Sequence, residues 1–238
     1  MDVLVLAGGQ SPDLPVLQKA DLLIGGISMA EHVAAAFRQV PAVGTVRIER
    51  GAHDSLVANL LDAVERLQRD GSSEYLLIAS CDIPFLTAEA VTDFLAACPP
   101  GFDFYYPVVR KEICEQKFPG VKRTCVKLKD GTFTGGNLFL VRAAVLPPLR
   151  ERLSRIFQHR KRPLLLAREF GLGVALSFLC SALLGTLTIG RLEREAERIS
   201  GIKAKAVISE HAEIGTDIDK LSDLALLERV VINTKEVI

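Results

Sequence analysis

The chain has 238 residues, 49% of them hydrophobic, and its 29 lysines and arginines balance 29 aspartates and glutamates to a formal net charge of zero. That length and apolar content suffice for one large α/β domain or two small ones, and they exclude a disordered or low-complexity chain. The charge balance gives no electrostatic reason for nucleic acid or an anionic membrane as partner, and five scattered cysteines without a C-x-x-C pair suit a reducing cytoplasm and supply no zinc framework.

Val3–Leu6 is a short β-branched and leucine-rich run that reads as a buried strand, with Ala7-Gly8-Gly9-Gln10-Ser11 directly after it. Glycines at that position let backbone N–H groups approach an anion, and Lys19 just beyond supplies a point charge for a polyphosphate. Neither G-x-G-x-x-G nor G-K-[ST] is present, so a plain tight turn stays open beside the phosphate cradle. The N-terminus lacks the basic region of a secretory signal, and a cytoplasmic location is expected.

Ser28 is a candidate N-cap for a helix over Met29–Phe37, a short strand follows near Thr45–Ile48, and Ser55–Leu67 has helical apolar spacing. Tyr75–Ala79 reads as a second buried strand, ending in Ser80-Cys81-Asp82-Ile83-Pro84, and Thr87–Ala97 as a helix opening on a good cap. This alternation predicts a mostly parallel, mixed sheet with helices on both faces: a three-layer α/β/α, Rossmann-like fold. Phe102–Val109 and Leu138–Val141 read as further strands, Ala204–Ser209 as a late strand and Leu221–Val231 as a closing helix. The chain 1–238 is expected to be a single domain, with an inserted loop or hairpin at about 110–134 and a helical lobe at about 144–200 that includes an exposed helix over Arg191–Arg198.

Gly171–Gly190 carries no charge over twenty residues, but glycines, serines and threonines dilute it, so a soluble core segment is expected and no transmembrane span. The basic run His159–Arg162 reads as a solvated loop.

In open α/β sheets ligands sit beyond the carboxyl ends of the strands. Asp82 follows a buried strand there, and since Thr87 already supplies the next helix's cap, its carboxylate is a candidate for metal or phosphate chemistry. Asp217 and Asp219 alternate, so an extended chain points both carboxylates one way and Ile218 the other; an acidic turn is the competing reading.

Leu6-Ala7-Gly8-Gly9-x-Ser11, Lys19, Gly25-Gly26, Cys81-Asp82-Ile83-Pro84, Gly135-Gly136-Asn137 and Asp217-Ile218-Asp219 with Asp223-Leu224 together resemble the MobA-like NTP transferases, over most of the chain. That superfamily includes molybdenum-cofactor guanylyltransferase and the sugar- and isoprenoid-phosphate cytidylyltransferases. The resemblance implies the nucleotide-diphospho-sugar transferase fold and a Mg²⁺-dependent transfer of a nucleoside monophosphate from a nucleoside triphosphate to a phosphorylated acceptor. It implies nucleotide binding by Leu6, Ala7, Gly8, Gly9, Gln10, Ser11, Lys19 and Asn59, with Gly51–Ser55 near the base. Asp82 and Asp219 would hold the metal, with Asp217 as the alternative partner, and Lys19, Asp82 and Asp219 would carry the catalysis. Arg123, Gly135, Gly136 and Asn137 would line the acceptor side. The acceptor is expected to be a small molecule, phosphorylated or lipid-linked, and a homodimer is left open. The family's loop reads Gly-Gly-x-Ser-x-Arg-Met-Gly, whereas here Asp13 lies near the arginine's place, so compensating charge is expected from Arg110, Lys111, Lys117, Lys122 or Arg123. A sugar-nucleotide-dependent glycosyltransferase and a non-catalytic nucleotide-binding protein are the alternatives.

Overall fold

A computed structural model describes residues 1–8, 18–51, 55–71, 73–159, 185–220 and 223–225. In chain order the strands are β1 (Asp2–Leu6), β2 (Leu23–Ile24), β3 (Ile27–Ser28), β4 (Val46–Glu49), β5 (Tyr75–Ser80), β6 (Phe104–Arg110), β7 (Cys125–Leu128), β8 (Gly131–Gly135), β9 (Leu138–Arg142) and β10 (Ala204–Ser209). The helices are α1 (Met29–Arg38), α2 (Leu56–Arg69), α3 (Ala88–Ala96), α4 (Lys111–Lys117), α5 (Arg150–His159) and α6 (Ile189–Ser200). One eight-stranded sheet runs β4-β1-β5-β9-β6-β8-β7, with β10 beside β6, and β2–β3 form a separate hairpin.

Strands β4, β1 and β5 are parallel, β9 is antiparallel to both β5 and β6, and β10 is parallel to β6. The mostly parallel mixed sheet with flanking helices agrees with the fold expected from the sequence. Its layering follows from strand periodicity, since successive side chains face opposite sides. Val3 and Val5 pack with Met29, Val33 and Phe37 of α1 and with Val91 and Phe94 of α3. Leu4, between them, faces the other way onto Val57, Leu61, Val64 and Leu67 of α2. The helices begin where side-chain oxygens can take up free backbone donors: Ser28, Ser55 and Thr87 accept from the N–H of Glu31, Ala58 and Ala90.

Within 110–134 the chain forms α4 and then the antiparallel β7–β8 pair. The sequence reading has no helix there, because seven residues with only Ile113 and the buried Cys114 apolar carry almost no amphipathic signal. Within 144–200, α5 and α6 are helical; 160–184 lie outside the described residues, and with them most of the Gly171–Gly190 run and the Arg160–Arg162 cations. No helix among the described residues is long and apolar enough to cross a membrane. Of the expected closing helix, only 223–225 are described, as helical.

What matters for the site is the kink between β8 and β9. The Gly136 N–H donates to Pro107 O, while the Asn137 N–H donates to Ile214 O and the Asn137 carbonyl accepts from the Ser80 N–H. The strand breaks at this point so that a 3₁₀ turn, Ala212–Gly215, can dock into the sheet, with Ile214 and Ile218 completely buried beneath it. A methyl group at position 136 would come within 2.7 Å of both Ile214 and Pro107, which accounts for the glycine. Replacing Ile214 by alanine leaves a cavity under this turn and is expected to cost about 2–5 kcal/mol. Ile208→Ala, on the exposed part of β10, is expected to stay below about 1 kcal/mol. Urea denaturation midpoints of the two variants check the contrast.

Candidate active site

The carboxyl ends of β1 and β5 meet at one place. The Cys81 N–H donates to Leu6 O and the Ala7 N–H to Glu49 O, so the ladder extends one residue past each strand and delivers Gly8 and Asp82 side by side. Asp82 then accepts at its own carbonyl, 2.9 Å from the Ile218 N–H. That bond lays Asp217 and Asp219 against Asp82 while Ile218 turns into the core, the alternation expected of an extended segment. Carboxylate oxygens of Asp82, Asp217 and Asp219 lie within 4.8 Å of one another. Asp223 braces the far end, its carboxylate accepting from the Asp219 and Lys220 N–H groups.

Lys19 enters this cluster from the 3₁₀ turn Lys19–Asp21. Its Nζ is 2.8 Å from Asp82 Oδ2 and 2.6 Å from Asp219 Oδ1, and its side chain is only 7% exposed. Burial by itself would lower the Lys19 pKa, but the two carboxylates outweigh it and raise it, so the amine is an ammonium. Asp217 moves the other way: burial first, then the charges of Asp82 and Asp219, push its carboxyl up to about 6. Burial and the adjacent Asp82 push the Cys81 thiol up to about 12, which leaves it a neutral thiol and no nucleophile.

Three hard carboxylate oxygens in one cluster suit a divalent cation such as Mg²⁺. One further observation favours it: Asp82 Oδ1 is fully buried and has no hydrogen-bond partner among the described residues. A buried carboxylate oxygen without a donor is costly, and a metal ion would satisfy it.

A cavity of about 390 Å³ opens onto the same acids, lined by Tyr106, Lys122, Arg123, Thr134, Gly135, Gly136, Asn137, Asp217 and Asp219 among others. Arg123, Gly135, Gly136 and Asn137 therefore come together as one wall. Arg123 is anchored through Nε to Gly215 O and through Nη2 to Thr216 Oγ1, with Nη1 on Val121 O. All three acceptors are neutral, so its charge is not cancelled by these bonds. Gly135 is required because a methyl group there would overlap the Tyr106 hydroxyl.

On the opposite side, Asn59 fills a notch between two glycines. Its side-chain nitrogen lies 3.8 Å from where a Gly8 Cβ would stand and 2.2 Å from where a Gly51 Cβ would stand. Gly9, Gln10 and Ser11 lie outside the described residues, as does 52–54. Of the cations proposed to replace a loop arginine, Lys117 is committed to the buried Glu213 at 2.7 Å, Lys111 pairs with Glu115, and Arg110 donates to Asp130 O and covers Phe133. Lys122 and Arg123 remain at the cavity. Arg50 was not singled out in the sequence, yet it leaves β4 beside Gly8 and pairs with Asp21 at 2.6 Å. It lies two residues past the strand expected near Thr45–Ile48, and the pairing of β4 with β1 is what brings it here. Tyr106 and Thr134 also line the cavity, and strand alternation alone does not distinguish them from surface residues.

Residues 3–169 match the family model of the MobA-like NTP transferase domain. The chain belongs to the MobA-like NTP transferase family. Among solved structures, a hypothetical transferase from Thermus thermophilus is 35% identical, with 94% of this chain and 98% of that one covered and a TM-score of 0.78. CMP:2-keto-3-deoxy-manno-octonic acid synthetase, solved with CTP, shares the fold at 14% identity, with 98% of each chain covered and a TM-score of 0.56. So does 4-diphosphocytidyl-2C-methyl-D-erythritol synthase, at 12% identity, 97% coverage of each chain and a TM-score of 0.57. No curated protein sequence matches significantly.

In this MobA-like domain the Asp217 carboxyl holds its proton more tightly when folded than its ordinary value of 3.8. Its contribution to stability is therefore fully present below that value and is lost as pH rises through about 6. In metal-chelated protein, Asp217→Asn is expected to raise Tm relative to wild type at neutral pH, with the advantage vanishing toward about pH 4. A Tm difference that stays constant across that range contradicts the shift.

Proposed function

We propose that the protein is a Mg²⁺-dependent nucleotidyltransferase that moves a nucleoside monophosphate from a nucleoside triphosphate onto a phosphorylated small molecule, releasing pyrophosphate. The observation that carries this reading is the convergence of Lys19, Asp82, Asp217 and Asp219 at the ends of β1 and β5, beside a polar cavity that also holds Lys122 and Arg123. The family assignment and the fold shared with a synthetase solved with CTP support the same chemistry.

In this reading the loop from Gly8 to Ser11 binds the triphosphate through backbone donors, and Asn59 and the segment near Gly51 border the base. Asp82 and Asp219, joined by Asp217, hold the metal, which when bound neutralises phosphate charge and aligns the reacting groups. The acceptor's anionic group lies in the cavity against Arg123 and Lys122, with Gly135, Gly136 and Asn137 shaping its wall. An acceptor phosphate oxygen attacks the α-phosphorus in line; the bond from that phosphorus to the bridging oxygen of the β-phosphate breaks, and pyrophosphate departs with the electron pair. Lys19 neutralises charge on the departing group. Because a phosphate acceptor is already ionised at neutral pH, no general base is required, which suits a site with no histidine among its described residues. The polar lining favours a phosphorylated acceptor over a lipid-linked one. The whole chain acts as one transferase domain in this reading, and nothing in the reaction calls for nucleic acid.

Thermal stabilisation by CTP, GTP, UTP and ATP, each with and without Mg²⁺, is expected to single out one base with a metal-dependent shift. With that nucleotide, Asp82→Asn is expected to lower pyrophosphate release by at least about 100-fold. Arg123→Ala should raise the acceptor KM about tenfold or more, an energy typical of a charged hydrogen bond, with nucleotide binding little changed. Undiminished turnover in Asp82→Asn sinks the mechanism, and release of a nucleoside diphosphate from a sugar nucleotide makes the protein a glycosyltransferase instead.

A further inference from the structure

The cluster that would receive a divalent cation already contains a cation. Lys19 Nζ lies 2.8 Å from Asp82 and 2.6 Å from Asp219, and Lys19 is nearly buried whereas Asp219 is 66% exposed. A metal ion placed among the same carboxylates would sit within a few ångströms of the ammonium, and repulsion between the two is strong in a partly desolvated site. Asp82 Oδ1 has no partner among the described residues, so the cluster keeps donor capacity for the metal; what opposes its entry is the neighbouring charge.

Lys19 lies in the 3₁₀ turn Lys19–Asp21, which follows the glycine loop in the sequence. In the nucleotidyltransferase reading, a triphosphate beside Gly8 offers the ammonium a second set of anionic oxygens, richer in charge than the carboxylates it holds. Once Lys19 turns to the phosphates, the acids are free for the metal and the repulsion is offset by the nucleotide's own charge.

We propose that Lys19 is a resident counter-ion that makes the metal site conditional: divalent metal alone binds weakly, and metal and triphosphate bind with positive coupling because the triphosphate draws the Lys19 charge off the carboxylates. Linkage makes this coupling reciprocal, so metal strengthens triphosphate binding by the same factor. The coupling rests on the nucleotidyltransferase reading; the competition between ammonium and metal does not.

The test uses the full chain and Mn²⁺, followed by its electron paramagnetic resonance signal and by calorimetry. With Mn²⁺ alone, Lys19→Met and Lys19→Gln are expected to bind about tenfold or more tightly than wild type. Mn²⁺ should also raise the Tm of both variants more than that of wild type, since it replaces a missing counter-ion. In wild type, inorganic tripolyphosphate should tighten Mn²⁺ binding about tenfold beyond the affinity of Mn²⁺ for tripolyphosphate in buffer. In the variants that increment should shrink. Lys19→Gln retains a hydrogen-bond donor, so it serves where Lys19→Met fails to fold. Equal or weaker Mn²⁺ binding by the variants overturns the proposal and makes Lys19 an organiser of the carboxylates. Failure of tripolyphosphate to bind wild type overturns the coupling together with the nucleotide reading, while the metal-only comparison still decides the competition.

Discussion

The hydrogen bond from the Ile218 N–H to the Asp82 carbonyl is the constraint on which the site depends. It joins a loop after the central strand to a segment that arrives only after β10. A single backbone bond between exposed loops contributes about 1 kcal/mol, too little to hold them together. Here it is flanked by Ile214 and Ile218, both fully buried, and by the Asn137 N–H on Ile214 O, so burial supplies the energy and the hydrogen bonds supply the register. A one-residue slip would turn Ile218 outward and drive Asp217 and Asp219 into the core. Placement of the acids thus follows from the cost of burying charge as much as from any attraction among them.

Two lysine–carboxylate contacts lie near one another in this region and serve different ends. Glu213 is 2% exposed, and it accepts from Lys117 Nζ and Thr87 Oγ1 with His211 Nδ1 3.6 Å away. The Thr87 and Lys117 contacts tie the 3₁₀ turn to α3 and α4, so Glu213 is a structural group. Lys19, by contrast, bridges acids of which one retains a buried, unpartnered oxygen and another is largely exposed. A pair that served stability alone would satisfy all its polar atoms. The leftover capacity is what separates the site from the scaffold.

Much of the parallel half of the fold is legible in the sequence because each element carries its own local signal. Val3–Leu6 and Tyr75–Ala79 are unbroken apolar runs, as strands buried on both faces must be, and Ser28, Ser55 and Thr87 announce the helices that cover them. Asp82 is legible for the same reason, as a lone acid at the end of such a run. What is not legible is whatever depends on contacts distant in sequence. Helix α4 has almost no amphipathic pattern and is held by Lys117 on Glu213, 96 residues away. Arg50 and Tyr106 reach the site only through the pairing of β4 with β1 and the docking of Ala212–Gly215 against β6. Nor does any local signal indicate that Lys19 would sit inside the acid cluster, since its partners are 63 and 200 residues away.

The altered glycine loop is best understood from how the nearby cations are used. Of the five basic residues in 110–123, Arg110, Lys111 and Lys117 are committed to partners away from the cavity. Arg123 is different because its hydrogen bonds run to two carbonyls and a hydroxyl, which fix the guanidinium in place without cancelling its charge. Its anchor is the segment that carries Asp217 and Asp219, through Gly215 and Thr216. A cation on the cavity wall and the acids of the proposed metal site are therefore parts of one unit, positioned by the same buried isoleucines. Arg50, whose backbone carbonyl borders Gly8, pairs through its guanidinium with the half-exposed Asp21. So exposed a pair is held only by screened attraction, which leaves the Arg50 charge less committed than that of Lys117 on the buried Glu213.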